Sequence, residues 1–231
     1  MSEEQRTVVV SCETLRDEIA DSMERTGRRY PVRWLDSGLH NVPSRLHTEL
    51  QEVLAGIEPG SVDRVIFFFG NCGNAVQGLA TGPYELVMPR LDDCLTLLLG
   101  SQRRRAALND ELHAIYLTEG WMRSRYNLNA EYERTAAKHG EKAAQAVFDM
   151  MYGHYQTLAL IDDGTYPIED LKRETALIAQ RAKLIQTVVP GTLDYVDQLL
   201  TGPWDENRFL VMPPNSVIPS DARIFAQEAE R

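Results

Sequence analysis

The chain has 231 residues, 43% hydrophobic and 25% charged, the profile of a globular protein large enough for one sizeable domain or two lobes. Its formal net charge of −10 opposes a phosphate backbone, and its one dense basic run, Arg103-Arg104-Arg105, has no interleaved aromatic residues, so nucleic acid is excluded as the expected partner. No stretch approaches the ~18 consecutive apolar residues of a membrane span, and the start "MSEEQRT" is acidic and polar where a signal peptide is basic and then apolar, so the expected location is the cytoplasm, with no membrane partner.

Short β-rich runs recur, each followed by a polar or glycine-containing turn and then a helical pattern, the signature of parallel βα units. In chain order the strands are "TVVVSC" (7–12), "PVRWLD" (31–36), "DRVIFFFG" (63–70) and "ELVMP" (85–89), with helices predicted at 13–26, 44–56, 73–80 and 91–106. The later strands are "HAIYLT" (113–118), "QTLALID" (156–162), "LIQTVVP" (184–190) and "RFLVMP" (208–213). Helices near 130–153, 168–182 and 192–201 accompany them, and a last helix near 220–230 closes the chain.

The halves read as copies of each other: "SCETL" faces "LTEGW", "LDSGLH" faces "IDDGTY", and "TGPYELVMP" faces "TGPWDENRFLVMP". The expected fold is therefore α/β, with two Rossmann-like parallel βα halves related by internal duplication. An N-terminal lobe, 1–110, carries the cysteines and His40; a C-terminal lobe, 111–231, carries a helical insertion near 122–154 that would serve as a lid or a homo-oligomer surface.

Three cysteines, an odd number, argue against a disulfide framework. In parallel sheets, ligands collect outside the carboxyl ends of the strands. Cys12 ends the first strand, His40 lies after the second, Cys72 after the third and Cys94 on the first helical turn after the fourth. All four thus fall on one face of one lobe. Each cysteine alone is more often a small core hydrophobe, but together they suggest a metal site; a metal-free reactive thiol is the other functional reading. His40 competes with His47, and with a simple loop hydrogen bond, for its role.

Asp92 and Asp93 are placed to cap the helix that Cys94 begins, or to orient His40 or Arg90. "GNCGNAVQG" lacks a phosphate-loop motif, so Gly70, Asn71 and Gly73 are read as allowing close backbone approach to whatever Cys72 binds. In the second half, Glu119 beside Trp121 is a candidate for proton transfer, with a solvated helix start as the alternative.

The combination "GLHNVPSRLHTELQ", "FGNCG", "MPRLDDCLTLLLGS" and "IYLTEGW" resembles the "domain of unknown function 1638" family, with PRxDDCxxLLLGS as its specific element. The motif residues that match are Cys12, His40, Cys72, Pro89, Arg90, Asp92, Asp93, Cys94, Glu119, Gly120 and Trp121. The resemblance implies association with corrinoid-dependent methyltransferase systems, and so one-carbon metabolism. The function expected on that basis is methyl transfer between a corrinoid protein and a small one-carbon donor or acceptor, through zinc held by Cys12, Cys72, Cys94 and His40, with Arg90, Asp93 and Glu119 as catalytic candidates and Gly70, Asn71, Gly73 and Trp121 lining the cofactor. An iron–sulfur cluster on the same cysteines and a non-catalytic corrinoid- or metal-binding accessory role are the alternatives.

Overall fold

The structure, a computed structural model, describes residues 6–221 and Phe225, so the closing helix expected near 220–230 falls largely outside the described residues. All eight expected strands form: β1 (Thr7–Cys12), β2 (Val32–Leu35), β3 (Arg64–Phe68), β4 (Glu85–Pro89), β5 (Ala114–Leu117), β6 (Thr157–Asp162), β7 (Ile185–Pro190) and β8 (Phe209–Met212). β1 is buried at all six positions, as a continuous Val-rich run must be when both faces of a parallel sheet are covered.

The helices are α1 (Arg16–Thr26), α2 (Pro43–Ala55), α3 (Cys94–Leu99), α4 (Gln102–Leu112), α5 (Glu119–Met122), α6 (Leu128–His139), α7 (Glu141–Tyr152), α8 (Ile168–Ala182) and α9 (Asp194–Thr201). The segment expected as a helix at 73–80 is a series of turns instead, because Cys72, Gly73, Asn74 and Gly78 all have positive φ. The helix expected at 91–106 is two: Gly100, in the left-handed region at φ 87°, ends α3, and Ser101 caps α4 by accepting from the Arg104 N–H.

Strands β2-β1-β3-β4-β8 form one sheet in that order, parallel except for β8, and β5-β6-β7 form a second, parallel sheet. This is an α/β, Rossmann-like fold, the larger sheet having a common doubly wound order, 2-1-3-4, over its parallel strands. The internal duplication is not borne out. β1 is central in the first sheet, whereas its supposed copy β5 is an edge of the second, and β8 pairs antiparallel with β4, the strand it was expected to duplicate. The C-terminal lobe therefore gives its last strand back to the first sheet.

Nor are the sheets separately cored. One cluster joins Val9, Ile66 and Val87 of the first sheet to Ala159, Ile161 and Val189 of the second through Ile19 of α1, Leu97, Leu98 and Leu99 of α3, and Val196 and Leu199 of α9. At about 1.5–3 kcal/mol for each such side chain buried, these three helices weld the sheets into one body. α2 covers the other face of the first sheet with Leu46, Leu50 and Leu54, and α6, α7 and α8 cover the second.

Candidate functional site

β1 has β2 on one side and β3 on the other, so the chain reverses its winding direction between them. Such a reversal leaves a crevice at the carboxyl ends of the two central strands. Cys12 ends β1 at this crevice and Cys72 follows β3.

Each thiol is held by its own local device. Cys12 is 1% exposed and accepts from Thr14 Oγ1 at 3.2 Å. Cys72 sits in the left-handed region at φ 45°, with its N–H donating to the Asp92 carbonyl at 2.7 Å. Asn71 donates likewise to the Leu91 carbonyl at 2.8 Å. Gly70 makes this seam possible, since the space a Cβ would need there is filled by the Leu91 carbonyl and the Asp92–Asp93 backbone. The glycine thus admits a neighbouring loop, not a ligand. The Asn71 side chain is engaged with Asn74 and Gln77, and the Cβ position at Gly73 faces Pro43.

Cys94 opens α3. Asp93 is the cap of that helix, its Oδ1 accepting from the Thr96 N–H at 2.7 Å and from Thr96 Oγ1 at 2.8 Å. Burial pushes the Cys94 thiol well up, and Cys12 and Cys72 push it further; burial, Asp93 and Cys12 do the same to Cys72. Burial also raises the Cys12 thiol, against the bond from Thr14. The three thiols are therefore neutral neighbours. Among the described residues, no group of three or more His, Cys, Asp or Glu side chains is arranged as it would have to be around a metal ion. Binding one requires the thiols to draw in.

His40 shares the neighbour Asp93 with Cys72 and Cys94, and its ring centroid is 6.4 Å from Phe69 and 5.6 Å from Trp121. Burial holds its imidazole below the ordinary value, with Asp93 opposing. Its Nε2 is buried without a hydrogen-bond partner, and so is Trp121 Nε1. His47, the competitor, has Nδ1 2.9 Å from the Ala75 carbonyl. Arg90 turns the other way, its Nε donating to the Phe209 carbonyl at 3.1 Å, and the cation paired with Asp93 is Arg105 at 3.7 Å.

The second sheet reaches the same place through α5. Gly120 lies against the Thr14 backbone, where no side chain would fit, and this contact brings Glu119 and Trp121 to the end of β1. Ser37, Glu13 and Ser124 tie the seam: Ser37 Oγ donates to Glu13 Oε1 at 2.9 Å and lies 2.6 Å from Ser124 Oγ. A cavity of about 140 Å³ opens along this seam between Glu13, Arg16, Gly120, Arg123 and Ser124.

One residue of the site escaped the sequence reading. Glu18 is 1% exposed, and neither of its oxygens meets a partner at full hydrogen-bond geometry. Burial first, then Asp163, near enough to share its proton, and to a smaller extent Glu119 together push its carboxyl up to about 8. Asp163 Oδ1 is anchored by the Thr165 N–H and hydroxyl at 3.0 and 2.7 Å, while its Oδ2 is buried and unpartnered. The available signal was spacing: Leu15, Glu18, Ile19 and Ser22 lie on one helix face, where a glutamate is out of place.

No curated protein and no solved structure matches the chain. The family described as "Protein of unknown function (DUF1638)" matches residues 34–200, a span that takes in His40, Cys72, Cys94, Glu119, Trp121 and Asp163, and the chain belongs to that family.

Proposed function

We propose that this is a soft-metal protein of one-carbon metabolism, in which Cys12, Cys72 and Cys94, with His40 beside them, hold a zinc ion, and in which a methyl group passes between a corrinoid protein and a small acceptor. The observation that carries the reading is the gathering of the three thiols at the switch-point crevice next to His40, whose buried Nε2 has no partner. The donor set is of the right type for a soft divalent ion: an imidazole kept neutral by burial, its ring against Phe69 and Trp121, and three thiols that must each give up a proton as the ion binds, against the burial that raises them. Zinc held by the three cysteines would take the thiol of an acceptor substrate and keep it as thiolate near neutral pH.

The chain's own residues supply the rest. Glu119 is the group to take up the proton an acceptor gives away, Glu18 and Asp163 near it already share one, and Phe69 and Trp121 exclude water from beside His40. Free cysteines accord with a reducing, cytoplasmic setting.

Anaerobic purification followed by metal and sulfide analysis tests the reading. Stoichiometric zinc supports it, and iron with acid-labile sulfide selects the cluster in its place. Protein that binds neither under metal-replete conditions overturns it.

A further inference from the structure

Arg103, Arg104 and Arg105 are consecutive, and the helix sends them to three different places. Arg103 is exposed. Arg104 donates to the carbonyls of Leu99 at 3.3 Å and Pro190 at 2.5 Å. Arg105 lies over Tyr116 of β5, its guanidinium carbon 4.2 Å from the centre of the ring, and its Nη2 is 3.7 Å from Asp93 Oδ2, between β4 and α3. That ion pair is longer than a hydrogen bond. Arg105 Nη1 is buried with no acceptor, and Tyr116, only 4% exposed, has a buried hydroxyl with no partner either. Two donors on residues in contact, both out of water and both unanswered, are what folded proteins avoid unless something else answers them.

We propose that Arg105 and Tyr116 form a carboxylate-binding subsite, the guanidinium Nη1 and the phenol hydroxyl each donating to one oxygen of a carboxylate-bearing substrate. The assignment deepens the proposed function and takes from it that the crevice is where substrate binds. Asp93 engages the Nη2 side of the guanidinium and leaves Nη1 for a second acceptor, and next to that aspartate a singly charged carboxylate meets less repulsion than a phosphate dianion would. The same Asp93 acts on Cys72, Cys94 and His40, so this subsite and the thiols share a neighbour.

Propionate is the probe, titrated into the full chain against chloride at equal ionic strength, with inorganic phosphate as a further arm and thermal unfolding and calorimetry as readouts. The subsite gives a saturable rise in Tm with propionate, abolished in R105Q and weakened about tenfold in affinity in Y116F. Without ligand, Y116F is at least as stable as the wild type, because phenylalanine removes a buried hydroxyl that lacks a partner. The proposal is overturned by a response no greater than that to chloride, by the same response in R105Q, by tighter binding of phosphate, or by a clear stability loss in ligand-free Y116F. The titration needs no metal, so a chain that binds propionate but no zinc fails the metal reading alone, and one that binds zinc but no propionate fails only the subsite.

Discussion

Glu18 on α1 and Asp163 at the end of β6 meet across the boundary between the two sheets, in surroundings that let one proton serve both. The folded protein holds that proton where the unfolded chain would release it, since the Glu18 carboxyl lies at about 8 against an ordinary 4.5. Its contribution is therefore complete below about pH 4.5 and is lost as pH rises towards 8, at up to about 1.4 kcal/mol per pH unit. In E18Q, a neutral side chain faces Asp163 at every pH. Urea unfolding across that range should show the wild type losing stability relative to E18Q as pH rises; parallel curves would place the proton elsewhere.

The seam between β1 and α5 depends on Gly120. In G120A, the added methyl meets the Thr14 carbonyl and backbone, which cannot rotate aside. A loss of about 1–3 kcal/mol is expected from the forced shift. Because the shift moves Trp121 away from His40, Trp121 fluorescence should change as well. An unaltered spectrum with unaltered stability would show that the two elements do not touch in solution.

Asp93 has a structural duty separable from its charge. D93A removes the cap of α3 and should cost about 1 kcal/mol, whereas D93N keeps an acceptor for the Thr96 N–H and should cost little. Chemical unfolding of both variants decides this; equal losses would mean that the Arg105 pairing, and not the cap, is what matters.

For Cys94, a ligand role and a packing role forecast different results. C94S should lose bound metal while keeping its fold, since serine preserves volume but is a poor soft-metal ligand. If Cys94 only fills the core, metal content stays unchanged and stability falls moderately from a buried hydroxyl. Metal stoichiometry and Tm, measured together on this one variant, tell these apart.

The strands were legible because they are β-branched or aromatic runs between turn residues, a composition that burial on both faces enforces in β1, β3, β4 and β6. The loop after β3 was not, because helical spacing of its apolar residues outweighed Gly73, Asn74 and Gly78, which take up left-handed backbone. The apparent repeat has a simple cause. "ELVMP" and "RFLVMP" are hydrogen-bonded neighbours, Leu86 opposite Met212 and Met88 opposite Leu210, so two strands look alike because they fill the same space. Sequence placed the thiols and His40 at one sheet edge but could not place Glu18, Arg105 or Tyr116, whose roles arise only once α1, α4 and β5 are packed together.

The return of β8 to the first sheet bears on how the chain is made. Until β8 leaves the ribosome, β4 presents a bare row of backbone donors and acceptors, the kind of edge that recruits strands from other molecules. Roughly 120 residues separate the two strands, a wait of about 6–24 s at ordinary elongation speeds. During that interval the nascent chain holds its three cysteines on an unfinished scaffold, so chaperone protection of one exposed strand, and not assembly of the thiol loops, should set the yield of native protein.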